Sequence, residues 1–134
     1  MATQNYLTMS DSEIANFTYS VRDELHANIP PDVMLDAIQS GDTVIHQYPE
    51  GFCVIRRYKS SSPYLWVMYV DPDERGHDVG AAMLQDIECK YASAESIGLQ
   101  CHESLQPYYE KRGFHPVLPY DDFVEMSKDI KEED

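Results

Sequence analysis

The 134-residue chain has few cysteines and few basic side chains, and it lacks any long apolar run. Its three cysteines are an odd number without a CxxC pair, which argues against a disulfide framework and against a zinc site. No segment approaches the roughly 20 consecutive apolar residues that a membrane-spanning helix requires. Residues 1–10 also lack the basic and apolar regions of a secretory signal. These absences favour a cytoplasmic protein with reduced thiols.

Basic residues are outnumbered, because 10 lysines and arginines stand against 24 aspartates and glutamates, which gives a net charge of −14. This excess of negative charge argues against direct nucleic-acid binding, which needs a basic surface. The imbalance is strongest in residues 1–50, where Arg22 is the only lysine or arginine. Such a field attracts cations, including protonated amines, although it also serves solubility alone.

With 43 % hydrophobic residues the chain can bury a core, and its length fits one domain. We expect this domain to span residues 1–127, and a charged tail to follow at 128–134. Ser10 and Glu13 form a capping-box pattern, which predicts a helix from Ser10 to Asn28. Further helices are predicted at 31–40, 79–94 and 105–112, and strands at 43–48, 52–58, 64–70, 97–101, 114–118 and 123–126. This order predicts an α/β fold with a mixed, mostly antiparallel sheet flanked by helices.

The segment between the strand at 64–70 and the helix at 79–94 carries the strongest functional pattern. Free backbone N–H groups and the positive end of the helix dipole lie where a helix begins. Gly76 and Gly80 allow the backbone to turn sharply there and to approach a bulky anion. The pattern is typical of a pyrophosphate cradle.

This segment closely resembles the acetyl-CoA-binding signature of the GNAT superfamily of N-acetyltransferases. The signature is Val-x-Pro-Glu-x-Arg-Gly-x-Gly-Val-Gly, and the residues in register with it are Val70, Pro72, Arg75, Gly76, Val79 and Gly80. The resemblance implies the GNAT fold, in which the sheet is splayed open between two parallel strands, here 64–70 and 97–101. It also implies acetyl-CoA as co-substrate.

Two groups of CoA-binding residues follow from this resemblance. The first group would pair its main chain with the pantetheine arm, and its members are Met68, Tyr69 and Val70. The second group would surround the pyrophosphate, and its members are Arg75, Gly76, His77, Asp78, Val79, Gly80 and Ala81. One position departs from the family pattern, because Asp78 replaces the central glycine. Its carboxylate would repel a pyrophosphate, or it would turn away and cap the helix.

A second motif, Pro107 to Phe114, predicts a short helix that Gly113 ends and a strand that follows. It resembles the GNAT pattern Phe/Leu-Tyr-Glu-Lys-x-Gly-Phe, whose tyrosine reaches the CoA sulfur. The resemblance therefore assigns Tyr109 as the general acid that protonates the departing thiolate. Tyr108 takes the hydrophobic position of the pattern and is expected in the core.

The base that deprotonates the incoming amine has no such motif. His102 and Glu103 follow the strand that borders the expected gap, and they are the candidate bases. His26 and Glu24 lie where the family forms its substrate wall, but we interpret them as ordinary surface residues. The histidines lack metal-ligand spacing, so no metal is expected.

The expected function is transfer of an acetyl group from acetyl-CoA to a primary amine, by direct attack in a ternary complex. The acceptor is a small-molecule or peptide amine, and the acidic residues 1–50 favour a polycation. Neither a membrane nor a nucleic acid is expected as a partner, and the sequence leaves a monomer and a homodimer both open. Two alternatives remain: a catalytically inert GNAT-fold binding module, supported by Asp78, and an acidic interaction protein that targets a basic partner.

Overall fold

The computed structural model describes residues 5–57 and 62–130, and within them six strands form one sheet. The strands are β1 (Thr43–Tyr48), β2 (Gly51–Arg57), β3 (Pro63–Val70), β4 (Ser96–His102), β5 (His115–Tyr120) and β6 (Phe123–Asp129). Their order across the sheet is β1-β2-β3-β4-β6-β5. Neighbouring strands are antiparallel, except that β3 and β4 are parallel. The predicted mixed, mostly antiparallel sheet is therefore confirmed.

The described residues form five α-helices around this sheet. They are α1 (Asp11–Ser20), α2 (Arg22–Leu25), α3 (Pro31–Gln39), α4 (Val79–Lys90) and α5 (Gln106–Glu110). Short 3₁₀ turns span Tyr6–Thr8, Pro72–Glu74 and Glu103–Leu105. In this part of the chain no helix is both long enough and apolar enough to cross a membrane.

The first helix begins as its sequence indicates, because Ser10 and Glu13 form the complete capping box. Its predicted continuation to Asn28 is wrong. The side chains of Ser20 and Arg22 donate hydrogen bonds of 2.6 and 2.7 Å to carbonyls of the last turn of α1, and they compete with the backbone there. Val21 therefore leaves the helical region, with φ −110° and ψ 22°, before α2 begins.

The last strand extends beyond its predicted end. Lys128 and Asp129 belong to β6, opposite Ile97 and Ser96 of β4, and the Lys128 ammonium lies 2.8 Å from the carboxylate of Glu88 on α4. The predicted tail therefore cannot begin at 128, because these two residues complete the ladder between β4 and β6. Residues 131–134 of the predicted tail and residue 58 of the predicted second strand lie outside the described residues.

Both faces of the sheet are covered. One core cluster joins α4 to β2 through Met83, Leu84, Ile87, Cys53 and Ile55. The cluster on the other face joins α1 and α3 to β2, with Ile14, Met34, Phe52 and Val54 among its members. Since alternate residues of β2 enter opposite clusters, this strand is the buried centre of the fold.

A bulge in β3 opens the sheet. Ile55 of β2 lies opposite Leu65, but the preceding Val54 lies opposite Val67, which leaves Trp66 as the extra residue of β3. Such a bulge bends a strand and reverses the face to which later side chains point. Accordingly, Leu65 packs in the first cluster and Val67 in the second. The pairing of β3 with β4 stops at the same residue, Leu65, so the predicted splay between these strands is confirmed.

Candidate active site

A cavity of about 750 Å³ lies where β3 and β4 separate. Its walls are β3, the loop at 74–80 that leads into α4, the segment at 24–29, β4, and α5. The bulge at Trp66 and the end of pairing at Leu65 place this opening at the middle of the sheet. The cavity therefore joins the two segments that carry the sequence motifs.

The start of α4 forms one end of this cavity. Gly76 has a φ of 84°, a backbone conformation that side chains rarely adopt, and a Cβ placed there would meet nothing within 4 Å. A Cβ on Gly80 would instead lie 2.9 Å from the Tyr108 hydroxyl and 3.7 Å from Val70. Gly76 therefore allows the left-handed backbone of the turn, and Gly80 leaves room for the Tyr108 hydroxyl at the start of the 12-residue helix. The arrangement fits a diphosphate, which binds free amides at helix starts.

Asp78 is the residue immediately before α4, and it lines the cavity in a left-handed conformation with φ 63°. Its side chain makes no capping hydrogen bond, so the predicted alternative in which Asp78 caps the helix is wrong. The left-handed backbone is the conformation in which a glycine is easiest to place, in agreement with the glycine of the family pattern. Asp78 is exposed, and it adds a negative charge to the cavity lining next to the start of α4.

Most of the residues predicted to bind CoA are brought together here. Those that line the cavity are Met68, Tyr69, Val70, Arg75, Gly76, Asp78, Val79 and Gly80. His77 and Ala81, which were also predicted to bind CoA, do not line it.

Arg75 connects two walls of the cavity. Its Nε donates a 2.9 Å hydrogen bond to the Val70 carbonyl, and its guanidinium pairs with the carboxylate of Glu24 on α2. The same guanidinium lies 5.3 Å from the centre of the Tyr69 ring. Glu24 is exposed, as the sequence interpretation expects, and it also joins the cavity wall through this ion pair. The Val70 carbonyl, predicted to pair with pantetheine, already accepts a hydrogen bond from Arg75.

Tyr109 lies in the wall formed by α5, is 8 % exposed, and packs edge to face against Tyr108 and Phe114. Burial is the main cause that raises its pKa above the ordinary value, and the charge of Arg112 acts weakly in the opposite direction. The phenol therefore stays protonated at neutral pH and can donate a hydrogen bond into the cavity.

Tyr108 packs against the core as predicted and also lines the cavity, where its hydroxyl approaches Gly80. Sequence reasoning missed its partner, Arg112, whose guanidinium carbon lies 3.7 Å from the centre of the Tyr108 ring. Arg112 also donates a 2.8 Å hydrogen bond to the Tyr108 carbonyl, and its buried Nε has no hydrogen-bond partner among the described residues. Arg112 lies just beyond the end of α5, and its spacing of four residues from Tyr108 could have indicated this pair.

The two candidate bases lie in different places. Glu103 does not face the gap, because its N–H bonds to the Asp122 carbonyl at 2.8 Å and its side chain borders a separate small cavity beside β5. His102 lines the main cavity, and its ring stacks on that of His26 with centroids 4.5 Å apart. His26 is exposed, as the sequence interpretation expects, and the fold also brings its ring to His102 at the cavity wall. Within residues 5–57 and 62–130, no group of three His, Cys, Asp or Glu side chains could hold a metal ion.

Comparison with known proteins agrees with this geometry. Residues 35–116, more than half of the chain, match the family model described as an acetyltransferase (GNAT) domain, so this chain belongs to the GNAT acetyltransferase family. No relative was found among curated protein sequences.

Solved structures show the same fold at low sequence identity. The ribosomal-protein-S18-alanine N-acetyltransferase from Escherichia coli superposes with a TM-score of 0.68 and 16 % identity, over 90 % of both chains. Ard1 from Thermoplasma volcanium superposes with a TM-score of 0.70 and 18 % identity, over 92 % of this chain and 95 % of that one. PaiA N-acetyltransferase from Thermoplasma acidophilum, solved in complex with coenzyme A, superposes with a TM-score of 0.63 and 17 % identity, over 91 % of this chain and 80 % of that one.

Proposed function

We propose that this acetyltransferase uses acetyl-CoA to acetylate a primary amine, by direct attack within a ternary complex. The observation that carries the proposal is the cavity at the splay of β3 and β4, which has an open helix start at one side and a buried tyrosine at another. Membership of the GNAT family supports the same reaction class.

The diphosphate of CoA would bind the backbone amides from Gly76 to Gly80. Arg112 adds a positive charge to this region, and among the described residues it forms no ion pair with a carboxylate. This charge offsets the carboxylates of Glu74 and Asp78, which line the same cavity. The pantetheine arm would follow β3 beyond Trp66, where the strand has left its neighbour β4.

The reaction needs three groups from the protein. A base removes a proton from the ammonium form of the acceptor, so that the neutral nitrogen can attack the thioester carbonyl. Main-chain N–H groups of β3 near Tyr69 and Val70 would donate hydrogen bonds to the oxygen as it gains negative charge. The new C–N bond then forms as the C–S bond breaks, which leaves a thiolate that needs a proton.

Tyr109 would supply that proton. Its raised pKa keeps the phenol protonated, so the least it contributes is a hydrogen bond to the sulfur as charge develops there. Because the pKa is raised, a tyrosinate would be short-lived. The attacking nitrogen must lose a second proton to become an amide, and this proton restores the phenol.

The acceptor is proposed only as a class. Glu24, Glu74 and Asp78 line the cavity, and the net charge of the chain is −14, so a cationic amine is attracted to the opening. The structural neighbour from Escherichia coli is named for a protein alanine, which supports keeping peptide amines beside small polyamines in any test.

Calorimetric titration with acetyl-CoA, followed by a thiol-release assay over spermidine, an aminoglycoside and an alanine-terminated peptide, tests the proposal. Tyr109→Phe should lower turnover by about 100-fold or more while the Kd for acetyl-CoA stays within about twofold, since general acids contribute 10²–10⁴. Tyr120→Phe is the matched control, because Tyr120 is 60 % exposed on β5 and does not line the cavity.

Each contrary outcome has a distinct meaning. Tight binding of acetyl-CoA without turnover of any amine would favour the inert binding module. Absence of binding would contradict the proposed co-substrate. Equal losses of turnover and affinity in Tyr109→Phe would make this residue a packing element rather than an acid.

A further inference from the structure

We propose that His26, and not His102, is the base that takes the proton from the incoming amine. The inference rests on the proposed function and names a group in that same cavity. It comes from three observations: how the His102 ring is hydrogen-bonded, where the chain holds His26, and how the two rings meet.

The ring of His102 is already engaged. Its Nδ1 accepts a 3.2 Å hydrogen bond from the backbone N–H of Ser104, which caps the 3₁₀ turn at Glu103–Leu105, and the same nitrogen lies 2.8 Å from the Ser104 hydroxyl. A backbone N–H can only donate, so Nδ1 presents its lone pair to Ser104, and in the neutral ring the proton sits on Nε2. In this tautomer His102 has no free lone pair to offer an amine. To act as a base it would have to release the turn that follows β4.

The ring of His26 has no such engagement. Its side chain makes no hydrogen bond within the described residues, and it lines the cavity from the segment after α2. One ring nitrogen of a neutral imidazole always carries a lone pair, and here that lone pair is available to the acceptor amine or to a water between them.

The backbone holds His26 in an unusual conformation. α2 ends in a Schellman motif, in which the Ala27 N–H donates to the Arg22 carbonyl at 3.1 Å and the His26 N–H donates to the Asp23 carbonyl at 3.4 Å. His26 occupies the left-handed position of that motif, with φ 53°, where glycine is the usual residue. Residues with such backbone conformations occur often at functional sites, and this one holds the imidazole at the cavity wall.

The two imidazole rings are stacked, and of the two only His26 has a lone pair that is free to accept a proton. Their planes are inclined by only 22°, and Phe123 contacts the His102 ring from a second direction at 5.7 Å. The charged groups that line the cavity are Glu24, Glu74, Arg75, Asp78 and Arg112, and of these Glu24 and Arg75 are paired with each other. A proton taken up by His26 is therefore stacked on a neutral ring, because two adjacent imidazolium rings would repel.

The proton balance is complete with these groups. The ammonium gives one proton to His26, which later releases it to solvent. The neutral nitrogen forms the C–N bond as the C–S bond breaks, and the nitrogen loses its second proton as the thiolate gains one through Tyr109. One proton is released for each acetyl group transferred.

His26→Gly tests the inference, because glycine fits the left-handed backbone and leaves a space in which added imidazole can bind. The assay uses the amine of the panel that the wild type acetylates. We expect the kcat of His26→Gly to fall about 100-fold and its Kd for acetyl-CoA to stay within about twofold. Added imidazole at about 50 mM should restore at least roughly a tenth of the wild-type rate. His102→Asn keeps an oxygen for the Ser104 N–H and should lose less than tenfold. His115→Asn changes an exposed histidine outside the cavity and serves as the control.

Two results would overturn the inference. The first is a His26→Gly rate within threefold of wild type. The second is a rate deficit in His26→Gly that imidazole does not relieve, together with a larger, imidazole-responsive loss in His102→Asn. A structural role for His26 would leave the deficit unrelieved. Failure of the wild type to bind acetyl-CoA or to acetylate any amine would contradict the proposed function itself, which separates the two results.

Discussion

Replacement of Asp78 tests whether the start of α4 receives an anion. Asp78 lines the cavity directly before α4, and its side chain makes no capping hydrogen bond. If the amides at the start of α4 hold CoA, then Asp78 weakens binding, and its removal should tighten it. Asp78→Asn removes the charge and keeps a residue that tolerates the left-handed backbone, whereas Asp78→Gly removes the charge and the side chain together.

The magnitude follows from Coulomb's law. Two unit charges about 6 Å apart in water repel by roughly 0.7 kcal/mol, so a diphosphate with two charges is repelled by roughly 1.4 kcal/mol. That free energy corresponds to about tenfold in Kd. The fold itself should change by less than about 1 kcal/mol, because a lost charge–dipole attraction at the helix start is small and glycine removes the left-handed strain.

Calorimetry with CoA at about 20 mM and 500 mM salt provides the assay. We expect both variants to bind about tenfold more tightly than wild type at low salt, and the gain to shrink at high salt because screening shortens the range of the repulsion. Asp73→Asn is the matched control, since Asp73 is exposed in the same loop but does not line the cavity. Equal affinities for wild type, Asp78→Asn and Asp78→Gly at low salt would refute the reasoning.

Three further predictions concern the framework that holds the site. Gly51→Ala should destabilise the fold by about 1–3 kcal/mol in urea denaturation, because its Cβ would lie 1.9 Å from the Tyr69 carbonyl oxygen; an unchanged midpoint would contradict the close approach of β2 to β3. Tyr6→Phe should cost about 1.5–3 kcal/mol, since its hydroxyl donates a 3.0 Å hydrogen bond to the buried Asp71 carboxylate, and a loss below 0.5 kcal/mol in the same assay would show that this bond is unimportant. Burial raises the pKa of Tyr6 and of Tyr48 in the folded protein above the tyrosine pKa of about 10 in the unfolded chain. The two phenols therefore contribute their full stabilisation below about pH 10, and this stabilisation is lost as the pH rises above that value. Unfolding measured from pH 8 to 11 should show this decline, less steeply in Tyr6→Phe, and a flat profile would contradict it.

The parts of the fold that could be predicted from sequence are those whose cause is local. The capping box at Ser10 and Glu13, the strand periodicities, and the strand–loop–helix sequence around Gly76 each depend on neighbours within a few residues. The order of these elements then determined the sheet class. The single parallel pair, β3 and β4, followed from the helix that connects those strands.

The parts that could not be predicted depend on contacts between distant segments. The stacking of His26 on His102 needs the end of α2 to meet the end of β4, and neither segment signals the other in the sequence. The pairing of Arg75 with Glu24 has the same origin. Glu103 was misplaced for a local reason, because a 3₁₀ turn begins at that residue and directs it away from the gap that His102 faces.

The bulge at Trp66 was also beyond sequence reasoning. Alternation of buried residues along β3 looks unbroken, from Leu65 through Val67 to Tyr69, and only the register with β2 shows that the strand changes face between Leu65 and Val67. Aromatic and β-branched residues fit either face of a buried strand, so the pattern carries no sign of the extra residue.

The most direct test of the central claim is a ¹H–¹⁵N NMR titration of the ¹⁵N-labelled protein with desulfo-CoA, which has the diphosphate but no reactive sulfur. If the start of α4 binds that diphosphate, the backbone amide signals of Gly76, Val79 and Gly80 will show the largest shifts and will report one common Kd. Saturable binding that leaves these three amides unmoved, or the absence of any saturable shift at millimolar ligand, would contradict the account.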